Sequence, residues 1–394
     1  MAEKLREGYT TGTCAQAATK AAMEILFGLK RKETVTPVEV ELPKGKRLSL
    51  KAEEIEIVYG EESGENRQDA KLLSVSCAVR KDSGDDPDIT DGVLVYSTVT
   101  REDSQKEANQ VLINGGQGVG TVTKQGLDQP VGEAAINRVP RQMIKSEVQK
   151  LCDEAGYGGG ITVEISIPEG EALAKKTFNP RLGVEGGLSI LGTSGIVEPM
   201  SEQALLDTIY LDMKVKLSAV ENKDKVLLVT PGNYGLEFLS EEYGVKEEQT
   251  VKCSNYIGLS LDMAMELGCK SFLLVGHIGK LIKVSGGIMN THSKWADCRM
   301  ELLAAAALEA GVPGEKAREF LPCVTVDDAF SQCSGKERKR IMEQVVKRME
   351  RYLSYRTGNG MQTGAITFSR VYGILGKTDG AEKIMGKFAG MAKK

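Results

Sequence analysis

Both histidines of the chain, His277 and His292, fall within residues 272 to 301, FLLVGHIGKLIKVSGGIMNTHSKWADCRME, a run of 30 residues dense in chemically capable side chains. An apolar segment ends at Gly276, and behind it follow Lys280, Lys283, Asn290, Lys294 and the pair Asp297 and Arg299. Imidazole, ammonium, carboxamide and guanidinium groups gathered behind one strand end suit hydrogen-bonding and charge-assisted work on a polar ligand. Taken singly, each glycine is turn chemistry and each histidine a satisfied surface residue. Their crowding favours a site, with His277 and His292 as the candidate catalytic residues. Two histidines are too few for a metal centre built from several imidazoles, and the eight cysteines show no CxxC pair and no zinc-ligand spacing to them. No protein-held metal is expected.

Four glycine-rich stretches could bring backbone amides against a ligand. Residues 186 to 201, GGLSILGTSGIVEPMS, read as strand, glycine turn and helix start, with Gly192, Thr193 and Gly195 in the turn and Glu198 able to bond ribose hydroxyls. TPGNYG, with Gly232, Asn233 and Gly235, and VGHIGK, with Gly276, repeat that layout, and the missing Cβ permits close backbone approach. None has the GxGxxG spacing, so simple turn chemistry and a cofactor cradle stay equally open for GTSG. In residues 115 to 144, GQGVG precedes a β-branched segment instead of opening a helix, which is a weak phosphate signal. That segment is long for a plain connection and carries Lys124, Asp128, Asn137, Arg138 and Arg141, as a ligand-lining loop would. Cys14, Cys253 and Cys298 lie near these motifs without a neighbouring base and read as packing.

The elements that must position these residues can be read from periodicity. Cys14, Ala17, Ala18, Ala21, Ala22, Ile25 and Leu26 form a helical stripe of mostly small side chains, with Thr10, Thr11 or Thr13 as its cap. Strand character follows at 38 to 42, 55 to 60, 75 to 81, 93 to 99 and 161 to 167, with a helix from 140 to 155 that ends before Gly156. From 188 onward short apolar strands alternate with helices, which predicts a parallel sheet with crossover helices. The expectation is therefore an α/β protein of two domains. An α+β domain with the glycine-rich loop occupies 1 to 180, and a Rossmann-like doubly wound domain with a C-terminal helical region occupies 181 to 394. In such sheets ligands bind outside the carboxyl ends of the strands, where GTSG, PGNYG and GHIGK are expected.

Length and charge set the class. A chain of 394 residues with 41% hydrophobic and 27% charged residues has the composition of a globular protein large enough for two cores. A formal net charge of -4 gives no general affinity for nucleic acid. The first residues lack a basic segment followed by an apolar run, and no stretch of about 18 apolar residues occurs, so neither export nor a membrane span is expected. Scattered cysteines fit a reducing, cytoplasmic compartment.

The motifs together resemble a known family. GYTTGTCAQAATKAA at 8 to 22, TKQGLDQPVGEAAINRVPRQMI at 123 to 144, GGLSILGTSGIVEPMS, TPGNYGLEF, KCSNYIG at 252 to 258 and GHIGKLIKVSGGIMNTHSKWADCRME are similar, in this order, to the CbiD family. The resemblance spans residues 5 to 310 and is less diagnostic beyond; Trp295 and Cys298 are positions of expected variation inside its last block. It implies a cobalt-precorrin-5B C1-methyltransferase of anaerobic cobalamin biosynthesis, with S-adenosylmethionine as cofactor and a cobalt-containing corrinoid intermediate as small-molecule substrate. Neither the acidic glycine-rich loop of common Rossmann methyltransferases nor the glycine-proline loop of other tetrapyrrole methyltransferases is present.

On that resemblance the cofactor is expected against Gly192, Thr193, Gly195, Glu198, Gly232, Asn233, Gly235 and Gly276. The substrate carboxylates are expected to need charge-assisted partners such as Lys124, Arg138, Arg141, Lys280, Lys283, Lys294 and Arg299, with Asp128 and Asn137 in the first part of the chain and Asn290 in the second. The acceptor is expected in a cleft between the domains, with His277 and His292 as hydrogen-bond donors or as an axial contact to the substrate's cobalt. A macrocycle carbon attacking an activated methyl needs alignment more than a strong base, so scarce histidine is no objection. A corrinoid carrier without catalysis and a nucleotide- or nicotinamide-dependent enzyme remain open as other readings.

Overall fold

The computed structural model describes residues 5–59, 72–102 and 110–392. Contacts divide the chain into two compact units, Met1–Ala204 and Leu205–Lys394.

In the first unit the alternating runs become a five-stranded sheet in the order Ala52–Tyr59, Leu72–Arg80, Leu94–Glu102, Gly160–Ser166, Val111–Gly115. The first four are antiparallel neighbours, and Val111–Gly115 joins Gly160–Ser166 in parallel. Gly60, the last residue of one expected strand, lies outside the described residues. Val75, Cys77 and Val79 turn to one face with Val95, Val99, Val163 and Ile165, and that face carries the core. Helix Thr11–Leu26 lies against it, with Cys14, Ala17, Ala18, Ala21 and Ala22 fully buried. Small side chains let this helix sit close both to the sheet and to helix Arg138–Ala155. Thr10 caps it by accepting from the Thr13 N–H.

The first domain was expected to end near 180, and the structure differs there. Leu188 and Ile190 belong to the first unit's core, and Val184–Glu185 pairs with Thr121–Val122. Residues 188 and 190 also bridge in parallel to Val119 and Ile136, so LSIL is extended chain threaded beside the glycine-rich loop and not a strand of the second sheet. Ile196–Val197 then pairs with Gly8–Tyr9. The apolar pattern of LSIL is extended as expected, but its partners are Val119 and Ile136 of the first unit, with Leu191 held by the Thr11 hydroxyl.

The second unit holds a sheet in the order Val251–Lys252, Val226–Thr230, Ser271–His277, Gln362–Ser369, Gly373–Lys377. The first four strands are parallel and the last is antiparallel. Leu227, Val229, Phe272 and Leu274 point into a core completed by helices Glu202–Ser218, Ile257–Glu266, Arg299–Glu309 and Gly335–Thr357. Val226, Leu228, Leu273 and Val275 point the other way, onto Phe238, Leu239, Ile384 and Met385 of helices Asn233–Tyr243 and Ala381–Ala392. Burial on both faces explains why VLLVT and FLLVG read as unbroken apolar runs. The C-terminal part, expected as a helical region, supplies Gln362–Ser369 next to the central strand as well as helices. Among the described residues no helix is long and apolar enough to cross a membrane.

Candidate functional site

Strands Val226–Thr230 and Ser271–His277 are parallel neighbours, so their carboxyl ends emerge side by side. Each passes at once into glycine: Pro231-Gly232 leads into helix Asn233–Tyr243, and Gly276-His277 into the one-turn helix Ile278–Leu281. Between these turns opens a cavity of about 630 Å³, within the size range of small-molecule sites. Gly232, Asn233 and Tyr234 line one side, Gly276, His277 and Lys280 another, and Arg299 and Asp327 reach it from the helical side.

The glycines play different parts. A Cβ on Gly232 would meet nothing within 4 Å, so this residue leaves room beside the cavity. A Cβ on Gly235 would lie 1.8 Å from Thr230 Oγ1, which makes that glycine a packing requirement of helix against strand. At Gly276 a Cβ would approach Pro231 Cδ and Leu281 Cγ to 3.1 Å, again a matter of close packing.

His277 is partly buried, edge-on to the Phe368 ring and near Tyr234. Its Nδ1 accepts the Gly279 N–H at 3.1 Å, and its Nε2 stands 3.7 Å from Asp327 Oδ2. Burial pushes its pKa below the ordinary histidine value, Asp327 opposes this and Arg370 adds to it. The ring is therefore neutral near pH 7, with its hydrogen on Nε2. Lys280 donates to Asn255 Oδ1 at 3.0 Å, and desolvation lowers its pKa. Arg299 is held by Asp297 through two bonds, Nε to Oδ1 at 2.5 Å and Nη2 to Oδ2 at 2.9 Å.

Other expected substrate residues do not line this cavity. Lys283 is buried and donates to the carbonyls of Thr291 and Ala296 at 3.1 and 2.7 Å, so its ammonium pins the loop from Asn290 to Cys298. His292 and Lys294 are exposed on that loop, where His292 Nδ1 accepts the Lys294 N–H, and neither lines the cavity. Asn290 accepts the His292 N–H. In the first unit the Arg141 guanidinium is spent on the carbonyls of Ile136 and Ile113, both at 2.9 Å. Lys124 donates to the Arg181 carbonyl, Asn137 precedes helix Arg138–Ala155 as its cap residue, and Asp128 and Arg138 are exposed.

The GTSG turn, expected beside the other two, lies in the first unit. Gly192 has φ +138°, and a Cβ there would sit 2.2 Å from Thr10 Oγ1. The Gly195 carbonyl accepts from Thr13 Oγ1 and the Thr10 N–H. Gly192 and Gly195 thus pack against the start of helix Thr11–Leu26, while Thr193 and Glu198 are exposed. Burial pushes the Cys14 and Cys253 thiols up to about 12, which removes both as nucleophiles.

Tyr234, Thr325 and Asp327 are site residues that the sequence reading did not single out. Thr325 caps helix Val326–Ser331 by accepting the Asp328 N–H, and the spacing of Thr325 and Asp328 was a visible helix-start signal. Nothing in it said that the helix starts beside His277.

A family model described as CbiD matches residues 1–199, and one described as CbiD, C-terminal domain, matches residues 290–379. The chain belongs to the CbiD family. CbiD relatives named cobalt-precorrin-5B C(1)-methyltransferase include a protein of Ruminiclostridium cellulolyticum, 47% identical over 83% of this chain and 79% of its own. Another, from Alkaliphilus metalliredigens, is 40% identical over 97% of this chain and 95% of its own. A crystal structure of a cobalamin biosynthesis protein (CbiD) from Archaeoglobus fulgidus is 27% identical, covering 75% of this chain and 84% of that one, with a TM-score of 0.37.

Proposed function

We propose that this CbiD protein is a cobalt-precorrin-5B C1-methyltransferase, which moves the methyl group of S-adenosylmethionine to C1 of the macrocycle and yields cobalt-precorrin-6A. Family membership supports the reaction. The observation that carries the cofactor site is the cavity at the carboxyl ends of Val226–Thr230 and Ser271–His277, the end of a parallel sheet where ligands bind. We read this second unit as Rossmann-like on the same ground.

The residues present fit the cofactor. Open space beside Gly232 admits a ligand against the backbone, and Asn233 and Tyr234 offer polar and aromatic surface. When bound, the cofactor supplies a methyl group on a positively charged sulfur. C1 of the macrocycle would take that methyl carbon, with the electron pair of the broken sulfur–carbon bond left on sulfur. The chain's part is to hold both partners in line and to keep water out. The neutral His277 is a donor toward the cavity and not a base. Lys280 and Arg299 are the cations at the cavity wall that meet carboxylates. Arg138 and Lys124 on the first unit and Lys294 on its loop are the remaining basic candidates for the substrate's acid groups.

The test is methyl transfer from labelled S-adenosylmethionine to cobalt-precorrin-5B, with calorimetric titration of S-adenosylhomocysteine, NAD and ATP alongside. Transfer with saturable S-adenosylhomocysteine binding is expected. Binding of corrinoid without transfer identifies a carrier, and preference for NAD or ATP identifies a nucleotide enzyme. For Lys280→Ala, Arg138→Ala and His292→Ala, unchanged turnover and substrate affinity in all three would remove these residues from the substrate site.

A further inference from the structure

The proposed cofactor site contains a donor and an acceptor that face each other without meeting. Nε2 of His277 carries its hydrogen, because Nδ1 is engaged by the Gly279 N–H. It stands 3.7 Å from Asp327 Oδ2, beyond the length of an N–H···O hydrogen bond. The other carboxylate oxygen of Asp327, Oδ1, is buried and accepts from no donor among the described residues. The Asp327 side chain is 24% exposed and lines the cavity, so a ligand there can donate to it.

The chemistry of a group that would fit here follows from this pair. Phosphate or carboxylate would be repelled by Asp327. An ammonium group would satisfy Asp327 but has no lone pair for the His277 N–H, which would stay unpaired. A hydroxyl does both, donating to Oδ2 while accepting from Nε2, and a second hydroxyl on the next carbon can donate to the same carboxylate. Resting on the cofactor reading above, we infer that Asp327 and His277 form a vicinal-diol site that receives the ribose hydroxyls of S-adenosylmethionine. At this pair a phosphate is disfavoured, and the anionic groups of a ligand fall instead to Lys280 and Arg299 on the cavity wall.

The experiment is calorimetric titration of the full chain with S-adenosylhomocysteine, its 2′-deoxyribose analogue and 5′-methylthioadenosine, which keeps the ribose and lacks the amino acid. On the wild type the 2′-deoxy analogue should bind about ten- to hundredfold more weakly than S-adenosylhomocysteine, the range for a lost bond to a charged group. Asp327→Asn should weaken S-adenosylhomocysteine and 5′-methylthioadenosine by similar factors. Equal affinity for the 2′-deoxy analogue overturns the inference, and this arm needs no variant to fold. Loss of S-adenosylhomocysteine binding in Asp327→Asn with unchanged 5′-methylthioadenosine binding also overturns it, because the carboxylate then faces the amino group. A wild type that binds none of the three removes the cofactor reading itself.

Discussion

The Gly279 N–H donates to Nδ1 of His277 over 3.1 Å, and this one bond fixes what the imidazole presents to the cavity. A histidine at the end of a central strand could act as base, acid or metal ligand. With Nδ1 filled by the backbone, the neutral ring can only donate from Nε2.

That state has a pH signature. Burial lowers the His277 pKa, Asp327 facing it raises it, and Arg370 lowers it further. The unfolded chain therefore takes this proton more readily than the folded one. The contribution is fully present above the unfolded value of about 6.5 and is lost progressively as pH falls from there toward the folded value. Urea midpoints measured between about pH 7.5 and pH 5 should fall less for His277→Gln than for the wild type. Identical pH slopes would mean that His277 does not titrate as the buried ring described.

Gly232 and Gly235 should separate cleanly. Gly232→Val places its side chain in open space, should cost at most about 1 kcal/mol as a poorer cap, and should weaken S-adenosylhomocysteine at least about tenfold. Gly235→Ala drives its Cβ onto Thr230 Oγ1 and should lose about 1 to 3 kcal/mol of stability. Thermal unfolding and titration of both variants check this; a stable Gly235→Ala protein would contradict the packing.

Gly192→Ala is expected to act on the fold and not on cofactor binding. Its φ of +138° and the Thr10 Oγ1 contact at 2.2 Å predict a loss above about 1 kcal/mol. Measured at a temperature where the variant is folded, its affinity for S-adenosylhomocysteine should equal that of the wild type. A specific affinity loss would return GTSG to the cofactor site.

Lys283→Met should uncouple the loop from Asn290 to Cys298. Two carbonyls lose their donor, at about 1 to 3 kcal/mol for each buried group left unpaired. Exposed Lys294→Ala should change stability by less than about 0.5 kcal/mol. Chemical denaturation of the two variants tests the contrast, and equal stabilities would show that Lys283 is not the pin.

The sequence by itself determined the family, through ordered motif blocks, and much of the local structure. Alternation at Val75, Cys77 and Val79 marked a strand with one buried face, and the alanine stripe from Ala17 to Ala22 marked a close-packed helix, because side-chain period follows directly from backbone geometry. It also placed PGNYG and GHIGK behind apolar strands, which the fold brings to one cavity. Tertiary structure decided the partners. GTSG looks like those two turns locally, yet Leu188 and Ile190 bridge to Val119 and Ile136 of the first unit, and pairing with residues so distant in sequence leaves no periodic trace. Gln362–Ser369 carries glycine, threonine and serine among its apolar residues and is hidden as a strand, although the sheet places it beside the central strand. Lys283 and Arg141 read as free cations, and only the fold shows carbonyls consuming their hydrogens. Asp327 lies 50 residues beyond His277, and no local signal can report a distance set by the packing of a helix against a strand end.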